Sequence, residues 1–439
     1  MQHRPDRSVS VSASRPAADP AGPPEPPRRR VLRGAAAAGA ALAAPAVRAQ
    51  SQVSGEIAFA SFEWNLPHTG SVLRAVSKSF SEKFPNARVR EIPIPAAGYA
   101  DQILTQLTAG TPPDIFRIDD PQLAMYIDRN WLLPLDDALK AAGVDASRFA
   151  AAGRDAQKDG KTFAVVYQTN ARQLIFNRAL LQAAGLSAPP STPAELEQAI
   201  VRTTQRDKGI FGYTFASKSG EVSQMFNSLG PTLVGFGAHF TTPDGKPNAT
   251  DPKMIEALRF VKRIWDADAV PRGLDGPSAT KLMFEGKVAM ALTGSFVFGA
   301  ATPEVRPQLG ATPSPLPGAL VRASSWYGVS ARGRNPTAAM AWLMHMLSAE
   351  GQSRIVEVER VVPALPHLIP ASVYQESPWF RPFVDGSSKA ISYLPPGLGP
   401  RAFGQIKVIG EEIENILYRS KPAERAMADL QRALEASLR

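Results

Sequence analysis

The sequence contains no cysteine among its 439 residues. This absence excludes disulfide scaffolds, thiolate metal sites, iron–sulfur clusters and cysteine nucleophiles. Aromatic residues make up only 8% of the chain, and no apolar run reaches the ~20 residues that a membrane-spanning helix needs. Apolar residues account for 44%, which supplies ordinary cores and argues against wholesale disorder. The length predicts two or three folded units, at roughly 100–200 residues each.

Enzyme signatures are also lacking. The four histidines beyond residue 50 show no HExxH or other metal-ligand spacing. Neither a GxSxG nucleophile turn nor a GxxxxGK[ST] phosphate loop occurs. We therefore predict no catalytic residue, no metal site and no cofactor.

The first 49 residues differ in kind from the rest. They combine a Pro- and Ala-rich start, the basic run Arg28–Arg30, a mildly apolar stretch over Ala35–Ala44 and small residues before Gln50. This order predicts a signal peptide over residues 1–49, and the paired arginines resemble the twin-arginine (Tat) export signal. A membrane anchor is the alternative, but ten apolar residues are too few to span a bilayer. We expect a periplasmic protein.

The basic excess belongs largely to this leader. The whole chain has 49 Lys+Arg against 40 Asp+Glu, a net charge of +9. Residues 1–49 hold eight arginines and three acids, so the remainder carries 41 − 37 = +4. Its basic residues are scattered among acids without a run, and nucleic acid is therefore not an expected partner.

The remainder alternates short strands with amphipathic helices. The pattern predicts strands over 56–62, 88–94 and 114–118 with helices between them, a βαβαβ beginning that is typical of α/β folds. Capping signals at Thr192, Asp251 and Asn335 predict later helix starts. Two helices, over about 405–418 and 422–438, are predicted to close the chain.

Short segments in fixed order together resemble one family. They are Gly55–Trp64, Phe80–Pro85, Leu107–Phe116, Asp159–Tyr167, Leu174–Arg178, Ala184–Leu186, Phe284–Met290 and Asn335–Trp342. Their sequence is similar to that of the extracellular solute-binding proteins of ABC importers, the maltose-binding-like family 1.

The resemblance implies a two-lobed periplasmic-binding-protein-like fold (type II), in which each lobe has a mainly parallel sheet. It places the N-terminal lobe at 50–165 plus 318–360 and the C-terminal lobe at 166–317 plus 361–439. It further implies a monomer that closes around a small solute and docks on the permease subunits of an ABC transporter. Closure requires contacts from both lobes, since only a higher affinity for the closed state shifts the population.

The resemblance also places ligand contacts after the strands, in loops at their carboxyl ends. Trp64 follows the first strand, and its ring can stack on a sugar or over a cation; packing against the core is the alternative. Asp119 and Asp120 follow the third strand, where a carboxylate can accept two sugar hydroxyls or pair with a cationic ligand. We expect one of them to cap the next helix and the other to face the cleft.

Further candidates lie near the crossings between the lobes. Gln168 and Asn170 carry amides that suit neutral hydroxyls, with turn formation as the alternative. Ser295 and Phe296 follow a strand predicted over 288–292, and family members often have tryptophan in place of Phe296. 

Three more candidates lie near the second crossing and beyond it. Trp326 and Tyr327 offer another stacking face. Arg360 could hold a carboxylate or phosphate with two hydrogen bonds, or it could pair with a surface acid such as Glu357.

The expected ligand is a sugar or polyol. An anionic solute such as glycerol phosphate is the alternative, which Arg360 in the cleft would favour. The alternative to a solute-binding protein is an enzyme that folds around a cofactor in the cytoplasm and is then exported by the Tat pathway.

Overall fold

The computed structural model describes residues 53–437, so the predicted signal peptide lies outside the described part. The strands are β1 (Gly55–Ser61), β2 (Ala87–Pro93), β3 (Ile115–Asp119), β4 (Gln157–Lys158), β5 (Lys161–Thr162), β6 (Val165–Ala171), β7 (Gln173–Asn177), β8 (Met290–Thr293), β9 (Leu309–Thr312), β10 (Val321–Val329) and β11 (Ile391–Ser392).

Sixteen α-helices surround these strands in the described range. They are α1 (Pro67–Lys83), α2 (Tyr99–Ala109), α3 (Asp120–Asp128), α4 (Asp136–Ala141), α5 (Arg178–Ala183), α6 (Pro193–Thr203), α7 (Val222–Gly235), α8 (Pro252–Asp266), α9 (Gly276–Phe284), α10 (Phe296–Ala300), α11 (Pro336–Met346), α12 (Ala349–Glu359), α13 (Ala371–Glu376), α14 (Arg381–Lys389), α15 (Ala402–Arg419) and α16 (Ala423–Ser437). Among residues 53–437, no helix has the length and apolar character to cross a membrane.

The capping signals act as the sequence predicts. The side chain of Thr192 accepts a hydrogen bond from the Glu195 amide at the start of α6. Asp251 does the same for α8 and Asn335 for α11. Each of these helices also has proline in its first turn, where the missing N–H leaves no hydrogen bond unmade.

The first sheet has six strands. Five of them have the order β11-β10-β3-β1-β2. The sixth strand, β6, lies outside this order and also pairs with β10. Strand β1 runs parallel to both β2 and β3, which confirms the predicted βαβαβ beginning. Strand β10 runs antiparallel to β3 and to β6.

The second sheet has the order β8-β7-β9, and β7 is antiparallel to both neighbours. The expectation of a mainly parallel sheet in each lobe is therefore wrong for this one. The chain path explains the difference, because β7 leads away from the junction with the first sheet while β9 leads back towards it.

Two connections join the sheets. The first passes from β6 through Arg172 into β7, and the second passes from β9 into β10. The two crossing strands pair with each other, from Arg322 opposite Ala171 to Tyr327 opposite Val165, with a bulge at Ser325. This pairing places residues that are about 150 positions apart in the sequence on one surface between the lobes.

Two separate hydrophobic cores correspond to the two lobes. The first draws on residues 53–167 and 326–365, with the rings of Phe59, Trp326 and Trp342 fully buried in it. The second draws on residues 174–321 and 356–434. Helix α12 serves both, since Ile355 packs into the first core and Val356 into the second.

The backbone of α10 lies very close to the end of α12. A Cβ atom added to Gly299 in α10 would lie 2.6 Å from the carbonyl oxygen of Glu359. That oxygen belongs to backbone, which cannot rotate away as a side chain would. Glycine at this position therefore allows the two helices to approach.

We predict that Gly299→Ala lowers the free energy of unfolding by about 1–3 kcal/mol, because the new methyl group must push α10 and α12 apart. Gly404→Ala in the exposed face of α15 is the matched control. A methyl group there meets no atom, and alanine should stabilise the helix by up to ~1 kcal/mol. Denaturant unfolding of both variants measures the difference; equal stability would contradict the close approach.

Candidate functional site

A cleft of about 600 Å³ lies between the two lobes. The first lobe contributes Phe62, Glu63, His68, Thr69, Arg117, Asp119 and Gln122 to its lining, and the second contributes Tyr213, Gln224, Thr280, Phe284, Thr293, Phe296, Tyr393 and Lys407. Gln168, Asn170, Arg172, Ser325 and Glu359 line it where the lobes meet. Both lobes therefore present side chains to the same space.

Strand β6 forms part of the cleft wall through the alternation of its side chains. Gln168, Asn170 and Arg172 line the cleft, while Thr169 and Ala171 are buried on the opposite face. The Asn170 amide donates to Oε1 of Gln168 at 3.0 Å. The structure thus places both predicted amide residues in the cleft.

Ser295 supports this arrangement from behind. Its hydroxyl is fully buried and donates to Oδ1 of Asn170 at 2.8 Å. Ser295 does not line the cleft itself, so the expectation that it contacts a ligand is corrected to an orienting contact with Asn170. Its neighbour Phe296 lines the cleft and is partly exposed there.

A buried ion-pair cluster occupies the first-lobe wall. Nε of Arg117 donates to Oε1 of Glu63 at 3.0 Å, and the same guanidinium pairs with Asp119. Burial lowers the pKa of Arg117, but the charges of Asp119 and Glu63 outweigh it and hold the pKa above its usual value. The guanidinium lies 4.2 Å from the centre of the Phe62 ring. Asp119 thus faces the cleft, as predicted for one of the two aspartates.

A second buried carboxyl group, Glu359, has no cationic partner in the described chain. The hydroxyl of Thr69 donates to it at 2.9 Å, and the hydroxyl of Tyr167 contacts its other oxygen. Burial, reinforced by the charge of Glu63, raises the pKa of Glu359 to about 8. The raised pKa favours the protonated, neutral form of this carboxyl group at pH 7.

Three predicted contacts are buried in the first core instead of lining the cleft. Trp64 donates from Nε1 to the carbonyl of Phe59 at 3.0 Å and is 2% exposed. Trp326 and Tyr327 have no exposed surface. The hydroxyl of Tyr327 donates to Glu63, so these rings support the cleft wall from inside the lobe. The expectation that they stack on a ligand is wrong in this structure.

Asp120 and Arg360 also lie outside the cleft lining. Asp120 is 6% exposed and accepts hydrogen bonds from Trp326 Nε1 and the Ser324 amide, both at 2.8 Å. It begins α3 without capping it through its side chain, and Asp119 makes no capping hydrogen bond either. Arg360 donates to carbonyls of its own helix and pairs with Glu376 at 2.8 Å. Its charge therefore has a partner outside the cleft.

The cleft therefore contains aromatic rings but no tryptophan among the described residues. Phe62 on one lobe and Phe284 and Phe296 on the other line it and are partly exposed. Phenylalanine keeps the apolar face that stacks on a sugar ring and lacks the indole N–H.

Contacts between described residues connect the lobes across the cleft. The Gln224 amide donates to the carbonyl of Ala96 at 2.8 Å, and Lys407 pairs with Asp101 at 2.9 Å. The rings of His68 and Phe284 meet edge to face with centroids 6.0 Å apart.

Unpartnered polar atoms are concentrated in the cleft. Within residues 53–437, six buried side-chain atoms have no hydrogen-bond partner. Four of them belong to cleft-lining residues: Gln122 Oε1, Arg172 Nε, Glu221 Oε2 and Ser325 Oγ. A buried polar group without a partner costs roughly 1–3 kcal/mol, so a ligand that supplies partners is stabilised here.

Several of these cleft residues are not among those predicted from the sequence. Extending the alternation of Gln168 and Asn170 by two positions would have included Arg172. No local pattern distinguishes Glu63, Gln122, Ser325 or Glu359, because their roles depend on partners far along the chain.

The match of this chain to a protein-family model identifies its fold and the class of its site. The model for bacterial extracellular solute-binding proteins matches residues 75–382. The chain belongs to this family. Its members are solute-binding proteins rather than enzymes, which removes the rival interpretation as a cofactor enzyme.

Individual relatives agree with the family. The chain is 24% identical over 284 residues to the diacetylchitobiose binding protein of Streptomyces coelicolor, covering 61% of this chain and 64% of the relative. An ABC transporter solute-binding protein from Thermotoga lettingae, solved with α-D-tagatose, superposes with a TM-score of 0.78 at 19% identity over 88% of this chain and 99% of that chain. UgpB from Mycobacterium tuberculosis, solved with glycerophosphocholine, gives 0.74 at 20% identity over 88% and 98%. These structures establish the two-lobed fold of the solute-binding protein.

The protonated state of Glu359 predicts an unusual pH dependence. Its pKa of about 8 in the folded protein exceeds the ordinary 4.5, so the folded state keeps a proton that the unfolded state releases between these values. The contribution of Glu359 to stability is therefore fully present below about pH 4.5 and falls as pH rises towards 8, by at most about 1.4 kcal/mol per pH unit.

We expect the stability of wild type relative to Glu359→Gln to decrease by at least about 1 kcal/mol between pH 5 and pH 8. Denaturant unfolding across this range measures it. Glu357→Gln, at an exposed position on the same helix, controls for loss of charge and should give a nearly constant difference. Parallel stability curves for wild type and Glu359→Gln would show that the carboxyl group is ionised throughout.

Proposed function

We propose that this solute-binding protein captures a small polyhydroxylated solute, a sugar or polyol, in the cleft and delivers it to the permease subunits of an ABC transporter. The observation that carries the proposal is the set of unpartnered polar atoms in a cleft that both lobes line. Hydroxyl groups donate and accept, so a polyol can satisfy a serine hydroxyl, an amide oxygen and a carboxylate together.

The partly exposed phenylalanines support the same solute class. Phe62 lies on one lobe, and Phe284 and Phe296 lie on the other. Their apolar faces complement the C–H faces of a sugar ring, while Gln168 and Asn170 present amides to its hydroxyls. Relatives with the same fold were solved with tagatose and with glycerophosphocholine, which supports a polyhydroxylated solute and leaves a phosphorylated one as the second candidate.

We further propose that residues 1–49 direct export to the periplasm by the Tat pathway and that the mature chain acts as a monomer. The extracellular character of the family supports export. The two cores support lobe boundaries near 165 and 318–360, since the first core ends at Tyr167 and resumes at Trp326. Lobe closure then delivers a sequestered solute, because only contacts from both lobes stabilise the closed form.

A thermal-shift screen over sugars and polyols tests the proposed function. A ligand at a hundredfold excess over its Kd should stabilise the protein by about 2.7 kcal/mol and raise its Tm accordingly. Gln168→Ala should weaken binding roughly fivefold, since one amide contact contributes on the order of 1 kcal/mol. Gln182→Ala, on an exposed helix outside the cleft, is the control and should bind as wild type does.

Two results would contradict the proposed function. One is a screen in which no sugar or polyol raises the Tm. The other is a ligand whose affinity is unchanged in Gln168→Ala, which would place its binding site outside the cleft.

A further inference from the structure

Arg172 stands at the junction of the lobes, between β6 and β7, and its side chain lines the cleft. Its Nε is buried without a hydrogen-bond partner, and its Nη1 makes one long contact of 3.4 Å to the hydroxyl of Thr293. No carboxylate of the described chain lies at ion-pair distance from it. The side chain is partly exposed, and apart from that long contact its guanidinium has no hydrogen-bond or ion-pair partner among the described residues.

The other cleft-lining cations have anionic partners. Arg117 pairs with Glu63 and Asp119, and Lys407 pairs with Asp101. Arg172 is the one arginine or lysine of the described cleft lining that lacks such a partner. Arg172 is partly exposed, but its Nε is buried, and a cation partly withdrawn from water without a counter-charge is unfavourable.

The groups around Arg172 do not replace that partner. The hydroxyls of Tyr213 and Tyr393 and the carboxyl of Asp120 lie near enough to act on its charge, yet burial dominates and lowers the pKa of Arg172. Both oxygens of Asp120 already accept hydrogen bonds, from Trp326 and from the Ser324 amide. Burial also raises the pKa of Asp120 to about 6, which is not the behaviour of a carboxylate held in a strong ion pair.

We propose that the solute carries an oxyanionic group, a carboxylate or a phosphate ester, and that Arg172 pairs with it inside the cleft. The inference rests on the proposed function and narrows its solute class to acidic or phosphorylated sugars and polyols. A guanidinium suits this role because its planar fork matches a carboxylate or phosphate with two parallel hydrogen bonds. Arg172 thereby takes the role that the sequence alone gave to Arg360.

The opposite wall favours one orientation of such a solute. The cluster of Glu63, Arg117 and Asp119 has a net charge of −1 when all three groups are ionised, and Asp119 is 27% exposed towards the cleft. An anion beside it would be repelled, whereas hydroxyl groups would find a carboxylate acceptor. The hydroxylated part of the solute is thus directed to the first lobe and its anionic group to Arg172.

The test compares matched solutes on wild type and Arg172→Gln by thermal shift and calorimetry. The probes are glucitol, gluconate and glucitol 6-phosphate, together with glycerol, glycerate and glycerol 3-phosphate. We expect an acidic or phosphorylated member to bind at least tenfold more tightly than its neutral counterpart. Arg172→Gln should remove that preference, while Arg360→Gln, at a paired surface arginine, should retain it. Comparison of the carboxylate probes with the phosphate probes identifies which of the two anionic groups the protein prefers.

Neutral solutes that bind as tightly as acidic ones, with no change in Arg172→Gln, would overturn the inference and leave the proposed function standing. A panel in which nothing binds would count against the proposed function.

A second comparison needs no solute. Arg172→Met should leave the Tm of the unliganded protein unchanged or raise it, because an unpaired and partly buried charge is removed. Arg117→Met should lower the Tm by several degrees, because two carboxylates lose their partner. An equal loss in both variants would mean that the Arg172 guanidinium has a structural role, and would overturn the inference.

Discussion

The antiparallel pairing of β6 with β10 is the constraint on which the cleft depends. These two strands carry the chain between the sheets, and their ladder from Arg322–Ala171 to Tyr327–Val165 keeps the lobes in register at the base of the cleft. Because side chains alternate along a strand, one face of β6 supplies Gln168, Asn170 and Arg172 to the cleft. We expect movement of the lobes about this ladder to change the cleft opening and to preserve its base.

Charge is distributed unevenly around this base. The first lobe holds a cluster in which Arg117 pairs with two carboxylates, and beside it burial raises the pKa of Glu359 to about 8. Arg172 alone presents an uncompensated charge among the described cations of the cleft. In the proposed complex the solute is recognised both by hydroxyl contacts and by its charge, and the unliganded protein keeps one partly buried guanidinium without a counter-charge.

The sequence predicted the elements well and the site in part. Strands β1 and β3 lie one residue away from the predicted 56–62 and 114–118, because periodicity is a local property. Gln168 and Asn170 lie in the cleft, but Trp64 and Trp326 do not, because the direction of a side chain after a strand is decided by distant partners. Trp326 donates to Asp120, 206 positions away. Glu359 could not be predicted, since its contacts with Thr69 and Tyr167 join positions separated by 290 and 192 residues.

Capture of a solute by lobe closure requires the lobes to part before the solute is released. The absence of native cysteine allows Asp101→Cys and Lys407→Cys, on opposite sides of the cleft, to be joined specifically by a bis-maleimide. A solute that raises the Tm is then used to measure the rates of solute binding and release, in cross-linked and in uncross-linked protein. We predict that cross-linking the two lobes before the solute is added blocks its binding. Cross-linking them after the solute is added should trap it. Equal exchange rates in both forms would contradict it.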